Sequence, residues 1–286
     1  MSEFATFVGK TQSAEHIKPL HWYVACRLVL EGGFAPDDIT PRPPFRVARR
    51  AGGYFLEYDP TIAGGGERTI LGGLKTKSVD VVVTREGIGP VLAISCKGVT
   101  GALRNLTNRM EETIGECTNL HITYPALALG YLVLIRANVQ QEIALAGAVP
   151  QSAGPTRQLA ANDMALTVGG EPVAGIIRFH NALRELTGRR GVREDVSQYE
   201  AIAMSLVDMR RQHEGQAFDG FPPPGSPLRL EQFFSTLYLR YDERFLYSAP
   251  ELASVTRRLE WAPNSPALVD LRRLAEIDYP VRLANS

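Results

Sequence analysis

Four residues of this 286-residue chain combine types and spacing that can do chemistry: Asp80, Ser95, Lys97 and Glu111. Asp80 falls in Ser78–Thr84, a run rich in β-branched residues, and Ser95 and Lys97 fall in Val91–Lys97, which reads as a second strand. Gly87-Ile-Gly-Pro90 between them is a turn signal, so the two runs predict an antiparallel hairpin. Ser95 and Lys97 are two apart, and the strand period of two aims both at one face. Glu111 lies fourteen positions beyond Lys97, on a helix expected over about Leu103 to Leu120. A carboxylate, a second oxygen ligand and a lysine at the end of a hairpin suit Mg²⁺-dependent phosphodiester hydrolysis. Hard oxygen ligands hold the ion. The ion lowers the pKa of a bound water and stabilises charge on the phosphate, while the lysine positions or helps deprotonate that water.

Helix geometry selects between two neighbouring glutamates. At 100° per residue, Leu103, Leu106, Met110, Ile114 and Cys117 form an apolar stripe centred about 20° before Leu103. Glu112 then points away to solvent. Glu111 falls on the flank, roughly 100° from the centre, beside Arg104, Asn108 and Gly115.

Asp80-(x14)-Ser95-x-Lys97, in a hairpin followed by a helix and another strand, resembles the PD-(D/E)XK nuclease motif. Val79 stands in place of the motif's proline and Ser95 in place of its second acid. The latter is similar to the variant of the CCGG-reading type II restriction endonucleases, where the acid migrates to the following helix; Glu111 occupies that place. The resemblance covers Tyr54 to Ile135 and implies a restriction-endonuclease-like core. It implies Asp80 as a bridging metal ligand, the Cys96 backbone carbonyl as another, Lys97 as the water-orienting partner and Glu111 as the relocated acid. Mg²⁺ is the implied cofactor, with Mn²⁺ able to substitute. Arg104, Asn105 and Asn108 lie where that subgroup carries its recognition motif, in a different order.

Around this centre the pattern predicts an α/β fold: a mixed β-sheet flanked by helices, plus a mainly helical C-terminal part. The expected helices run over Ser13–Leu30 and Leu103–Leu120, and near Pro172–Leu186, Val196–Gln212, Leu230–Tyr241 and Ser265–Ala275. Tyr54–Tyr58 and the apolar Ala126–Ile135 read as strands. The boundary expected from this pattern separates a nuclease core, 1–145, from a helical region, 146–286, for DNA recognition or dimerisation.

Glu15 offers an outer metal ligand or a first-turn acid complementing the helix dipole. Arg42, Arg46, Arg49 and Arg50 offer phosphate contacts, or make a solvated Pro-flanked loop. Arg189-Arg190-Gly-Val-Arg193, with Arg178 and Arg184, is the densest basic cluster; it suits guanine or phosphate contacts, and helix-end arginines also answer the dipole. The five histidines show no metal-binding spacing, which favours neutral structural roles.

Composition narrows the rest. With 44% hydrophobic and 22% charged residues the chain is globular in type, and disordered classes are excluded. Equal numbers of basic and acidic residues, 31 each, exclude a histone-like coat. Three cysteines without a CxxC pair read as reduced thiols of a cytoplasmic protein, and the longest apolar run is too short to cross a bilayer. The expectation is a Mg²⁺-dependent type II restriction endonuclease, a homodimer acting on double-stranded DNA. A structure-selective or phage-defence nuclease of the same superfamily, or a DNA-binding protein of that fold without its metal, are the alternatives; Ser95 keeps the last open.

Overall fold

The computed structural model describes residues 1–8, 14–101, 106–139, 161–210, 213–273 and 277–284. It is an α/β fold with a mixed five-stranded sheet flanked by helices, in the order β1 (Ile39–Thr40), β6 (Val81–Arg85), β7 (Gly89–Val99), β8 (Ala128–Ala137) and β9 (Ala201–Asp208). The residues group into two units, each assembled from three stretches of chain instead of dividing at a single point. One holds 1–19, 96–119 and 130–236, the other 20–95, 120–129 and 237–286.

In the second unit, β1 (Ile39–Thr40) pairs antiparallel with β6 (Val81–Arg85). Strand β6 pairs antiparallel with β7 (Gly89–Val99), with Val81 opposite Ile94 and a bulge after Val83. Gly87, at φ +74°, makes the turn an L side chain resists. The expected hairpin is therefore present. Strands β2 (Phe45–Arg50) and β3 (Gly53–Tyr58) form a separate hairpin, and β4 (Arg68–Ile70) and β5 (Lys77–Val79) another. The Arg- and Pro-rich segment, expected to lead loop-like into one strand, itself supplies β2.

Helix α2 (Lys18–Leu30) follows the short α1 (Ser2–Thr6) of the first unit. It starts later than expected, leaving Glu15 exposed in the preceding turn rather than on the helix. His21, Val24, Ala25 and Leu28 make its buried face, at i, i+3, i+4 and i+7. The buried Trp261 donates from Nε1 to the Val29 carbonyl at 2.8 Å, anchoring the C-terminal stretch to this helix.

In the first unit, β8 (Ala128–Ala137) runs parallel to β9 (Ala201–Asp208), with Gly130 opposite Ala201. A helix was expected near Val196–Gln212, so β9 is a correction. All eight of its residues are buried, and a strand covered on both faces shows no alternation. Such a run is indistinguishable from a buried helix by period alone. Helices α3 (Leu106–Thr123) and α4 (Ala174–Glu185) match their expected positions. Arg136 donates to the Phe4 and Phe7 carbonyls at 2.7 and 2.6 Å, holding the N-terminal turn. Helices α5 (Leu230–Tyr241), α6 (Ala253–Thr256) and α7 (Pro266–Arg273) complete the chain. No helix among the described residues is long and apolar enough to cross a membrane.

Candidate active site and nucleic-acid interface

Asp80 lies between β5 and β6 and is 5% exposed. Valines on either side lock it there: Val79, Val81 and Val82 are fully buried. Ser95 of β7, also fully buried, donates from Oγ to Asp80 Oδ2 at 3.3 Å. Ser95 therefore acts on the aspartate itself. The other oxygen, Oδ1, lies 3.4 Å from His21 Nε2, delivered by the buried face of α2. Reasoning from spacing missed His21, which precedes Asp80 by fifty-nine positions and carries no motif. Its place at i−3 and i−4 from the buried Val24 and Ala25 was the available signal.

Cys96 follows on β7, buried with its thiol reduced, and Lys97 is half-buried. The charge of Lys97 bears on Tyr131 of the same unit. Burial pushes the Tyr131 hydroxyl up, a Thr113 hydrogen bond and Lys97 pull it down, and Glu116 adds to the rise. Gly98 is packed so closely that a Cβ there would stand 2.7 Å from the His16 ring and 2.8 Å from Phe4. His16 Nε2 lies 3.3 Å from the Gly98 carbonyl, and burial lowers its pKa against that contact.

On α3 the buried side differs from the expected stripe. Thr113, Glu116, Cys117 and Leu120 are buried, at i, i+3, i+4 and i+7, whereas Ile114 is 38% exposed. Glu111 is exposed, about 160° around the helix from Thr113. Glu112 is exposed too and pairs with Arg109 at 2.9 Å. The buried carboxylate of this helix is Glu116, 5% exposed. It escaped notice because Thr113, Glu116 and Asn119 make the buried side look polar in sequence.

The basic residues separate into anchors and surface groups. Arg189 is completely buried and donates to Glu200 Oε1 at 2.7 Å and to the Val192 carbonyl at 2.9 Å. It is a core residue and has no surface to offer DNA, a correction to its expected role. The loop it anchors presents Arg190 and Arg193, both exposed. Glu194 accepts from the Arg190 backbone N–H at 2.8 Å, and the Arg190 and Gly191 N–H groups hold its carboxyl below the usual range. Ser197 N–H and hydroxyl likewise depress Asp195. On β2, exposed Arg46 pairs with Asp59 at 2.6 Å, Arg50 pairs with Glu57 at 2.7 Å, and Arg49 lies over the Tyr54 ring at 5.9 Å. Asn108 is exposed on α3, and Arg104 lies outside the described residues.

Among the described residues no group of three or more His, Cys, Asp or Glu side chains is arranged to hold a metal ion. A single carboxylate such as Asp80 still fits Mg²⁺, which is commonly held through one or two carboxylates while waters and substrate phosphates complete its sphere. No family model, curated protein or solved structure matches this chain.

Proposed function

We propose that this chain is a Mg²⁺-dependent endonuclease of the type II restriction class, cutting double-stranded DNA at a specific sequence as a cytoplasmic homodimer with a restriction-endonuclease-like core. The observation that carries the reading is Asp80: a buried carboxylate immediately before β6, held by Ser95 of β7, with Lys97 two residues beyond Ser95 on β7.

A divalent cation, when bound, supplies an acidified water and charge stabilisation at the phosphate. Asp80 would hold it, with the Cys96 carbonyl. Ser95 fixes the rotation of the Asp80 carboxylate through its hydrogen bond. Lys97 would position the attacking water or help to deprotonate it. Glu111 is the acid that the resemblance relocates to the following helix, where it is exposed on α3. Arg190, Arg193, Asn108, Arg46 and Arg49 would contact the DNA.

With Mg²⁺, the purified chain should cut plasmid DNA to a sharp ladder. Lys97→Ala should abolish cutting while DNA binding persists. Undiminished cutting by this variant would remove the assignment, and a smear would move it to the structure-selective class. The reading as a metal-free DNA-binding protein is favoured by one observation, that Ser95 replaces an acid; it predicts DNA binding without any cutting.

A further inference from the structure

The geometry points to His21 as a nitrogen ligand that joins Asp80 in holding a divalent cation and biases the site towards Mn²⁺, the transition-series ion of the three, over Mg²⁺ and Ca²⁺. This rests on the nuclease reading of Asp80 and goes beyond it in naming a second side chain and a metal preference.

The separation is informative. His21 Nε2 stands 3.4 Å from Asp80 Oδ1. A charge-assisted hydrogen bond between imidazolium and carboxylate closes to about 2.7–2.9 Å. Two atoms bound to one metal at about 2.0–2.2 Å, at angles between square and tetrahedral, stand roughly 3.0–3.5 Å apart. The observed spacing falls in the second range. Burial adds to this: both side chains are 7% exposed, so neither would move far to bind.

The backbone also holds the pair in place. His21 projects from the first turns of α2, whose Val24, Ala25 and Leu28 are fully buried, so the helix cannot rotate to withdraw it. Ser95 holds Asp80 Oδ2 from the opposite strand, leaving Oδ1 turned to the imidazole. Carboxylate and water ligands suit Mg²⁺, Ca²⁺ and Mn²⁺ alike, whereas imidazole shifts preference along the transition series.

The test uses the full chain, without DNA, and Mn²⁺ as the probe. Pulsed electron paramagnetic resonance of the Mn²⁺-loaded wild type should show coupling to a histidine nitrogen, which His21→Gln removes and His16→Gln leaves. Calorimetric Mn²⁺ affinity should fall about 10- to 100-fold in His21→Gln, while Ca²⁺ affinity changes less than about threefold. The wild-type spectrum needs no variant, so a misfolded substitution does not obscure the result. Mn²⁺ binding that depends on Asp80 but shows no nitrogen coupling overturns the role of His21 and leaves the metal reading of Asp80 standing. Absence of any Mn²⁺ binding that Asp80→Asn abolishes overturns both.

Discussion

Two buried carboxylates in this chain keep different company. Glu200, fully buried, meets the equally buried Arg189 at 2.7 Å, with the guanidinium's second nitrogen on a backbone carbonyl. Asp80 is approached by an imidazole at 3.4 Å and a hydroxyl at 3.3 Å. The first pair has the short, charge-matched geometry that neutralises itself and fixes a loop. The second has contacts of the length that a ligand can replace or share. Burial by itself therefore does not distinguish the two acids; the contact lengths and the chemistry of those neighbours do.

The sharpest way to break this contrast is isosteric removal of each charge. Asp80→Asn should reduce DNA cleavage about 10³-fold or more while the thermal midpoint moves little. Glu200→Gln should do the opposite, destabilising the fold by about 3–5 kcal/mol through the stranded Arg189 and leaving cleavage per folded molecule near wild type. Denaturant unfolding beside a plasmid assay reads both. If Asp80→Asn unfolds the chain and cleavage follows only the folded fraction, the contrast fails.

A double substitution sharpens it next. Arg189→Met together with Glu200→Leu should recover most of the stability lost by either change alone, because a well-packed apolar pair replaces a buried ion pair at little net change. Additive losses in the cycle would show that the two side chains act separately.

Smaller effects are expected at the loop that Arg189 anchors. Arg190→Ala and Arg193→Ala should each lower the slope of log affinity against log salt by about one if they meet phosphates. Titrations of duplex DNA at several salt concentrations would measure this, and an unchanged slope would confine both to solvent. Smallest is a pH effect. Glu194 has a folded pKa below its unfolded one, so its contribution is present above the unfolded value and lost as pH falls through the depressed one. Amide exchange at Arg190 should accelerate over that acidic window and in Glu194→Gln at neutral pH.

Much of this architecture was legible where side chains alternate or repeat. The β6–β7 hairpin followed from β-branched runs around Gly87, and α3 and α4 from helical spacing. Strand β9 was not, because a strand buried on both faces loses the alternation by which it would be recognised. Of the candidate site, Asp80, Ser95 and Lys97 were legible because they sit close together on one hairpin. His21 was not, because it lies far away in sequence from the hairpin. Arg189 misled for the converse reason, since a run of arginines does not say which of them turns inward.

Strand β9 has a consequence for how copies of the chain can associate. It ends the sheet, yet its outward backbone groups are engaged by the chain's own loops. Ile202 N–H meets the Thr187 hydroxyl at 3.1 Å, and Met204 N–H meets the Leu228 carbonyl at 2.9 Å. Leu206 accepts from Phe218 at 2.8 Å, while Asp208 donates to Gln216 at 2.8 Å and accepts from Gly215 at 2.9 Å. A terminal strand in this condition cannot template another, so continuation of the sheet into a second molecule is blocked on this side, as is fibril growth from it. Any association between copies of this chain would therefore have to use something other than this strand's main chain.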